Sequence, residues 1–158
     1  MSGPICIHWY NREMEISVAT PEGLAEAAAS FLTELVPSTT GATLITLSGD
    51  LGAGKTAFTK AVAKELGVTD SVTSPTFVLE KVYLLPDYGT WKRLIHIDAY
   101  RLKSGEELAA LGFDEAMQDP QTLIVLEWPE QVSDALPKPT AALRITASPD
   151  GTRTLSYD

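Results

Sequence analysis

One glycine-rich octapeptide constrains the fold of this chain more than any other feature. Residues 49–56 read Gly-Asp-Leu-Gly-Ala-Gly-Lys-Thr, which matches the pattern G-x-x-x-x-G-K-[ST] at every fixed position. Glycines let the backbone wrap so that successive N–H groups converge on an anion. Lys55 then offers a positive charge to the outer phosphates, and the Thr56 hydroxyl is a hard oxygen ligand for Mg²⁺. The octapeptide therefore predicts a loop that binds the phosphates of a nucleotide.

The residues around the octapeptide strengthen this prediction. Ala42 to Ser48 is rich in β-branched residues and predicts a strand, and Thr56 to Leu66 predicts a helix that ends at Gly67. A helix that begins at the loop directs its positive end at the bound anion. The alternative, a glycine-rich turn with a surface lysine, does not account for this strand–loop–helix context.

Strands and helices alternate along the rest of the chain. The predicted strands cover residues 13–19, 42–48, 76–85, 93–97, 122–126, 141–147 and 152–157, and the predicted helices cover 21–36, 56–66 and 104–117. This order is typical of an α/β fold with one central sheet. We predict a single domain over residues 1–158, a P-loop NTPase-like three-layer sandwich. Its mixed, mostly parallel sheet carries antiparallel additions from both ends of the chain.

Two helix starts carry local signals. Thr20 is a good N-cap before Pro21 and Glu22, because Pro fits the first helical position and an acid suits the positive end of the dipole. Ser104 to Glu107 matches a capping box, which predicts one continuous helix towards Met117.

Two acidic residues follow apolar strands. Asp98 ends Leu-Ile-His-Ile-Asp, and Glu127 ends Leu-Ile-Val-Leu-Glu. Ligands of open α/β sheets bind beyond the carboxyl ends of the strands, so both acids point towards the phosphate loop. One of them could hold or orient Mg²⁺, and the other could complete its shell or position the attacking water. The residues alone leave these two assignments open.

Three further positions lie near these acids in sequence. The segment 74–76, Ser-Pro-Thr, suits either a switch-like loop that offers a hydroxyl to the γ-phosphate or a capped turn. His96 in mid-strand is interpreted as a packed core histidine and not as a catalyst. Trp128 beside Glu127 could stack or pack, and packing is the favoured interpretation.

The charge of the chain excludes some classes of protein. There are 21 acidic and 12 basic residues, for a net charge of −9, whereas a protein that coats nucleic acid or an anionic membrane needs a surplus of cations. Residues 104–137 hold eight acids and no Lys or Arg, which predicts either solvated helix faces or a docking surface for a basic partner. Cys6 is the only cysteine, and no apolar run reaches the length of a transmembrane helix. We therefore expect a cytoplasmic protein without a membrane segment.

Missing motifs narrow the class of nucleotide protein. Asn11 is the only asparagine, so the guanine-reading Asn-Lys-x-Asp motif of GTPases is absent, as is the Ser-Gly-Gly signature of transporter ATPases. Five arginines and no lid-sized insertion argue against an adenylate-kinase-type enzyme. An accessory ATPase is the predicted class. A small-molecule phosphotransferase and a non-hydrolysing ATP sensor are the alternatives.

Five motifs in this order resemble the TsaE family, formerly called YjeE. They are residues 49–56, the Ser-Pro-Thr of 74–76, His-Ile-Asp-Ala-Tyr-Arg-Leu of 96–102, the Glu-Glu-Leu-x-x-Leu-Gly run of 106–112 and Leu-Glu-Trp-Pro of 126–129. The resemblance covers roughly residues 15–147. It implies an ATPase of bacterial tRNA threonylcarbamoyladenosine (t6A) biosynthesis that is slow alone and works with TsaB and TsaD. Together with this function, the net charge of −9 predicts that any contact with tRNA is made indirectly, through that complex.

The resemblance also implies roles for individual residues. ATP and Mg²⁺ are the expected cofactors, with Thr56 and Glu127 on the metal and with Lys55, Asp98 and Glu127 as the catalytic residues. Glu22, near the first helix, is expected close to the nucleotide. The full set of expected nucleotide contacts is Glu22, Asp50, Leu51, Gly52, Ala53, Gly54, Lys55, Thr56 and Ala57.

Overall fold

A single eight-stranded sheet forms the centre of the computed structural model, which describes residues 6–10, 13–72, 78–87 and 89–157. The strands are β1 (Cys6–Tyr10), β2 (Glu13–Val18), β3 (Thr43–Ser48), β4 (Glu80–Leu84), β5 (Arg93–Asp98), β6 (Thr122–Glu127), β7 (Ala141–Ala147) and β8 (Arg153–Tyr157). The helices are α1 (Pro21–Glu34), α2 (Lys55–Glu65), α3 (Gly105–Ala110) and α4 (Phe113–Ala116), with a 3₁₀ turn at Pro129–Val132.

The order of strands across the sheet is β1-β2-β8-β7-β3-β6-β5-β4. β7, β3, β6 and β5 run parallel in the middle, and every other pairing is antiparallel. The predicted α/β fold with a mixed sheet is confirmed. Strands from the two ends of the chain do add antiparallel pairs, but both join the same edge. The opposite edge is β4, which lies in a predicted strand but whose antiparallel pairing with β5 was not predicted.

Alternation along the central strands creates two hydrophobic cores, one on each face of the sheet. Ile45 and Leu47 of β3 pack in the core under α1 and α2, whereas Leu44 packs in the core under α3 and α4. All six residues of β6 are buried, as expected for a strand covered on both faces. The predicted three-layer sandwich follows from these two cores.

The start of α1 is as predicted. The Gly23 N–H donates to Thr20 Oγ1 at 3.0 Å, and Pro21 occupies the first helical position. The helix ends at Glu34, two residues before the predicted end at Val36.

Within the described part of the strand predicted from Thr76 to Leu85, only Glu80–Leu84 is extended, and residues 78 and 79 form a turn. β4 begins at Glu80, because Leu79 has a left-handed backbone with φ of +65° that interrupts an extended conformation. Ser74-Pro75-Thr76 lies outside the described residues.

The single helix predicted from 104 to 117 was also wrong. Gly112 adopts φ of +83°, which ends α3 and begins α4, so two short helices replace one. The capping box does not form either. The Glu107 carboxylate accepts the Lys103 N–H at 2.8 Å, and the Asp134 carboxylate accepts the Gly105 N–H at 3.1 Å. A distant loop therefore caps α3 in place of its own serine.

Within the described ranges, no helix combines the length and the apolar character needed to cross a bilayer.

Candidate functional site

The loop between β3 and α2 owes its shape to three glycines with positive φ. Gly49, Gly52 and Gly54 have φ of +147°, +78° and +112°. A Cβ on Gly49 would lie 2.2 Å from the carbonyl oxygen of Ile145 on β7, so only glycine fits between the loop and the sheet. The loop is thus fixed by contact with the neighbouring strand as well as by its own conformation.

Lys55 is the first residue of α2, and its side chain turns back under the loop. Its Nζ donates to the carbonyl oxygens of Gly49 at 2.6 Å and Asp50 at 2.9 Å, and lies 4.0 Å from the ring centroid of Trp128. Burial lowers the pKa of the Lys55 ammonium, while nearby carboxylates, that of Glu127 first, act to raise it. The chain therefore keeps a buried cation beside the concave side of the loop.

The two strand-end acids stand side by side. Asp98 and Glu127 are register partners on the parallel strands β5 and β6, and both are buried. The Thr56 hydroxyl lies 3.1 Å from Glu127 Oε1 and 3.3 Å from Oε2. The expected convergence of the loop with these acids is what the sheet produces, because the carboxyl ends of parallel strands meet at one edge.

The oxygens of Thr56 and Glu127 suit a hard cation. Mg²⁺ typically takes one or two protein oxygens and completes its shell with water and substrate phosphates. In the described part of the chain, no group of three or more His, Cys, Asp or Glu side chains could hold a metal by itself. The two oxygens fit Mg²⁺ whose shell is completed by water and phosphate oxygens.

A cavity of ≈ 240 Å³ opens between the loop and the strand ends. Of the residues expected at the site, those that line it are Leu51, Gly52, Gly54, Lys55, Thr56, Ala57, Asp98 and Glu127. Asp50 is exposed and contributes its carbonyl to Lys55, and Ala53 is buried beneath the loop. Glu22 lies exposed on the first turn of α1 and does not line this cavity.

Two aromatic residues complete the wall of the cavity. The rings of Tyr100 and Trp128 lie 4.9 Å apart, and Trp128 has a left-handed backbone with φ of +62° that is uncommon for a large residue. Trp128 does pack against the core under α3 and α4, as interpreted from the sequence, but it also faces Lys55. The contact of Trp128 with Lys55 could have been suspected from the sequence, because Trp128 directly follows the strand-end acid Glu127.

His96 belongs to the site as well as to the core. It is fully buried, in agreement with its interpretation as a core residue, yet its Nε2 lies 2.7 Å from Glu127 Oε1. The missed signal was its spacing, because residues two apart on a strand share one face and His96 stands two before Asp98.

Arg153 at the start of β8 was not foreseen. A Cβ on Gly54 would come within 2.8 Å of Arg153 Nε, so the guanidinium group lies against the phosphate loop. Arg153 also lines a second cavity of ≈ 160 Å³, which Ala57 shares with the cavity beside the loop. No local pattern points to Arg153, because only the strand order brings β8 to this side of the sheet.

Comparison with known proteins gives consistent matches. The family model described as "Threonylcarbamoyl adenosine biosynthesis protein TsaE" matches residues 18–155. A protein of Streptomyces coelicolor named tRNA threonylcarbamoyladenosine biosynthesis protein TsaE is 44% identical over 103 residues, 65% of this chain and 67% of its own length. The protein of the same name from Rickettsia typhi is 40% identical over 61% of this chain and 63% of its own length. The chain thus spans about two thirds or less of these relatives.

A solved structure agrees with the fold. The crystal structure of Bacillus subtilis YdiB superposes with a TM-score of 0.71 at 29% identity, covering 95% of this chain and 87% of YdiB. The B. subtilis protein named TsaE is 38% identical over 117 residues, 72% of this chain and 68% of its own length. The family model, these relatives and the shared fold lead to one conclusion: the chain belongs to the TsaE family.

Proposed function

We propose that this protein binds and hydrolyses ATP with Mg²⁺ in the cytoplasm and serves t6A biosynthesis in tRNA together with TsaB and TsaD. One observation carries the proposal. The Thr56 hydroxyl of the phosphate loop lies 3.1 Å from the buried Glu127 carboxylate, which is paired in register with Asp98. A phosphate loop, a hydroxyl and two strand-end carboxylates are the groups that Mg²⁺-dependent nucleotide hydrolysis requires.

Each group has a distinct role in this proposal. The backbone N–H groups of residues 50–56 surround the phosphates, and Lys55 exchanges its carbonyl partners for phosphate oxygens. Thr56 and Glu127 hold Mg²⁺, which neutralises phosphate charge when bound. Asp98 orients the attacking water or the outer shell of the metal. Contact with tRNA occurs only through the proposed complex, in line with the net charge of −9.

Removing the Lys55 ammonium tests the phosphate loop. In Lys55→Ala we expect ATP affinity, measured by isothermal titration calorimetry, to fall at least about tenfold, because a hydrogen bond to a charged group contributes about 1.5–3 kcal/mol. Lys60→Ala is the matched control: Lys60 lies on the same helix but is exposed, so its removal should leave ATP affinity unchanged. Wild-type affinity in Lys55→Ala would contradict the phosphate-loop assignment.

Three measurements of ATP hydrolysis test the rest of the proposal. The rate is measured for the protein alone, then with TsaB and TsaD, then with tRNA added. We expect slow hydrolysis that these partners stimulate and that Glu127→Ala abolishes. Transfer of phosphate to a small metabolite without partners would favour a phosphotransferase. Binding without turnover under every condition would favour an ATP sensor.

A further inference from the structure

His96 makes one short contact from a fully buried position in β5. Its Nε2 lies 2.7 Å from Glu127 Oε1, across the boundary between β5 and β6. Its other ring nitrogen, Nδ1, is also buried and has no hydrogen-bond partner among the described residues. Since a carboxylate oxygen accepts hydrogen bonds, the 2.7 Å contact requires that Nε2 carry the proton and donate it to Glu127. The single satisfied nitrogen of this histidine is thus the one that faces the candidate metal ligand.

This contact makes the two oxygens of Glu127 unequal. Oε1 lies within hydrogen-bond distance of both His96 Nε2, at 2.7 Å, and Thr56 Oγ1, at 3.1 Å. Oε2 has only Thr56 Oγ1 at 3.3 Å among the described contacts. The single hydroxyl proton of Thr56 serves one oxygen at a time. Oε1 therefore accepts the one fixed donor, and Oε2 keeps lone pairs that no fixed donor occupies among the described contacts. Glu127 itself lines the cavity beside the loop.

We infer that His96 is a positioning residue that fixes the Glu127 carboxylate through Oε1 and so presents Oε2 to the metal of the nucleotide. This inference rests on the proposed function, because it assigns a role at the same site. Hydrogen-bonded partners of metal ligands orient those ligands, and their loss typically weakens metal binding about 10- to 100-fold. If His96 served only to fill the core, a ring of similar size without the N–H could replace it with no loss of metal affinity.

The test measures binding of Mn²⁺ to the protein–ADP complex by electron paramagnetic resonance, with ADP affinity measured separately in EDTA. In His96→Phe we expect about 10- to 100-fold weaker Mn²⁺ binding with unchanged metal-free ADP affinity. His96→Gln should keep most of the wild-type Mn²⁺ affinity, because the amide nitrogen of glutamine reaches the position of His96 Nε2. Ile95→Val is the control for repacking β5, since Ile95 faces the opposite core and should leave Mn²⁺ binding unchanged.

A double-mutant cycle isolates the contact. In a Glu127→Gln background, His96→Phe should cause no further loss of Mn²⁺ affinity, because the group that it positions has already changed. Equal Mn²⁺ affinities of wild type and His96→Phe would overturn the inference. So would a folded His96→Gln that binds Mn²⁺ as weakly as His96→Phe.

Two further results keep the outcome unambiguous. If His96→Phe does not fold, His96→Gln is compared with His96→Asn, whose shorter amide reaches only the place of Nδ1; equal Mn²⁺ affinities of these two would overturn the inference. A wild-type protein that binds Mn²⁺ with ADP but never hydrolyses ATP would contradict the proposed function and leave the role of His96 standing.

Discussion

At the scale of single residues, the shape of the phosphate loop requires a glycine at position 49, where a Cβ atom would collide with a neighbouring strand. Gly49 and Gly112 both have positive φ, yet their surroundings differ. A Cβ on Gly49 would press against the backbone of β7, while a Cβ on Gly112 would have no atom within 4 Å. Conformation and crowding can therefore be separated by the same substitution at two places.

Gly49→Ala should destabilise the protein far more than Gly112→Ala. For Gly112→Ala we expect a loss of about 1–2 kcal/mol, the cost of a left-handed conformation for a residue with a Cβ. For Gly49→Ala we expect at least about 3 kcal/mol, since overpacking against Ile145 adds to backbone strain. Urea unfolding of both variants measures the difference. Equal losses would mean that the loop moves away from β7 at little cost.

At the scale of elements, the site exists because β5 and β6 are in register and α2 begins beside them. The pairing of Asp98 with Glu127 aligns two carboxylates. The pairing of His96 with Val125 places the imidazole two residues before them, on the same face of the sheet. A shift of one residue between these strands would turn one acid to the opposite face. The register, more than any single residue, therefore determines which side chains meet at this edge.

The last strand, β8, is joined to its neighbours by Tyr157. Its hydroxyl oxygen lies 2.7 Å from Met14 Sδ on β2 and 3.3 Å from Glu34 Oε2 on α1, and its ring meets Phe31 edge-on at 5.1 Å. Burial raises the pKa of the Tyr157 hydroxyl well above the ordinary tyrosine value of 10.0, and the charge of Glu34 raises it further.

This raised pKa predicts a loss of stability at alkaline pH. Above the ordinary tyrosine pKa, unfolded Tyr157 releases its proton while folded Tyr157 keeps it. The native state then binds more protons, so the free energy of unfolding falls as pH rises. The stabilising contribution is complete below pH 10.0 and is lost as the pH rises towards the folded-state pKa.

Tyr157→Phe should remove this component. Urea unfolding, followed from neutral pH to beyond the ordinary pKa of tyrosine, should give a shallower decline for the variant. The slopes should differ by up to about 1.4 kcal/mol per pH unit, less for partial exposure to solvent. Because the two proteins share every other titrating group, the difference in slope isolates Tyr157. If the free energy of unfolding declined equally with pH in wild type and Tyr157→Phe, the Tyr157 hydroxyl would have the same pKa in the folded and unfolded states.

At the scale of the whole molecule, the sequence predicted what depends on local pattern and chain direction. The loop, its strand and helix, and the convergence of Asp98 with Glu127 follow from residue spacing and from the common edge of parallel strands. The spacing of His96 and Asp98 could have placed both on one face of β5, but the bond from His96 to Glu127 also depends on the register of β5 against β6, which no local pattern sets. The approach of Arg153 to Gly54 depends on the strand order alone.

The acidic segment 104–137 shows how the fold divides one charge run among several uses. Four of its eight acids have described partners or belong to the site, namely Glu107, Asp119, Glu127 and Asp134. The other four, Glu106, Asp114, Glu115 and Glu130, are exposed. The two predictions for the segment, solvated helix faces and a docking surface, therefore apply to these four exposed acids, which lie on α3, α4 and the 3₁₀ turn.

Neutralising the exposed acids of α3 and α4 tests the docking surface. The triple variant Glu106→Gln, Asp114→Asn, Glu115→Gln should stay folded and lose about 1–2 kcal/mol in total, because these side chains are exposed but lie in the first turns of α3 and α4. If a basic surface of the proposed partners docks here, affinity for TsaB and TsaD at low salt should fall about tenfold. Titration of the labelled protein with both partners at low and high salt measures the affinity and its screening.

A second triple variant gives the matched control. Glu26→Gln, Glu65→Gln, Asp70→Asn removes the same amount of charge from exposed positions on α1, on α2 and just beyond α2, across the sheet from α3 and α4. If binding depends only on the general attraction between an acidic protein and a basic partner, the loss of three charges should weaken binding equally in both variants. A specific docking surface would weaken it in the first alone, and the difference would disappear at high salt. Unchanged affinity in the first variant at low salt would contradict the docking prediction and assign these acids to solvation.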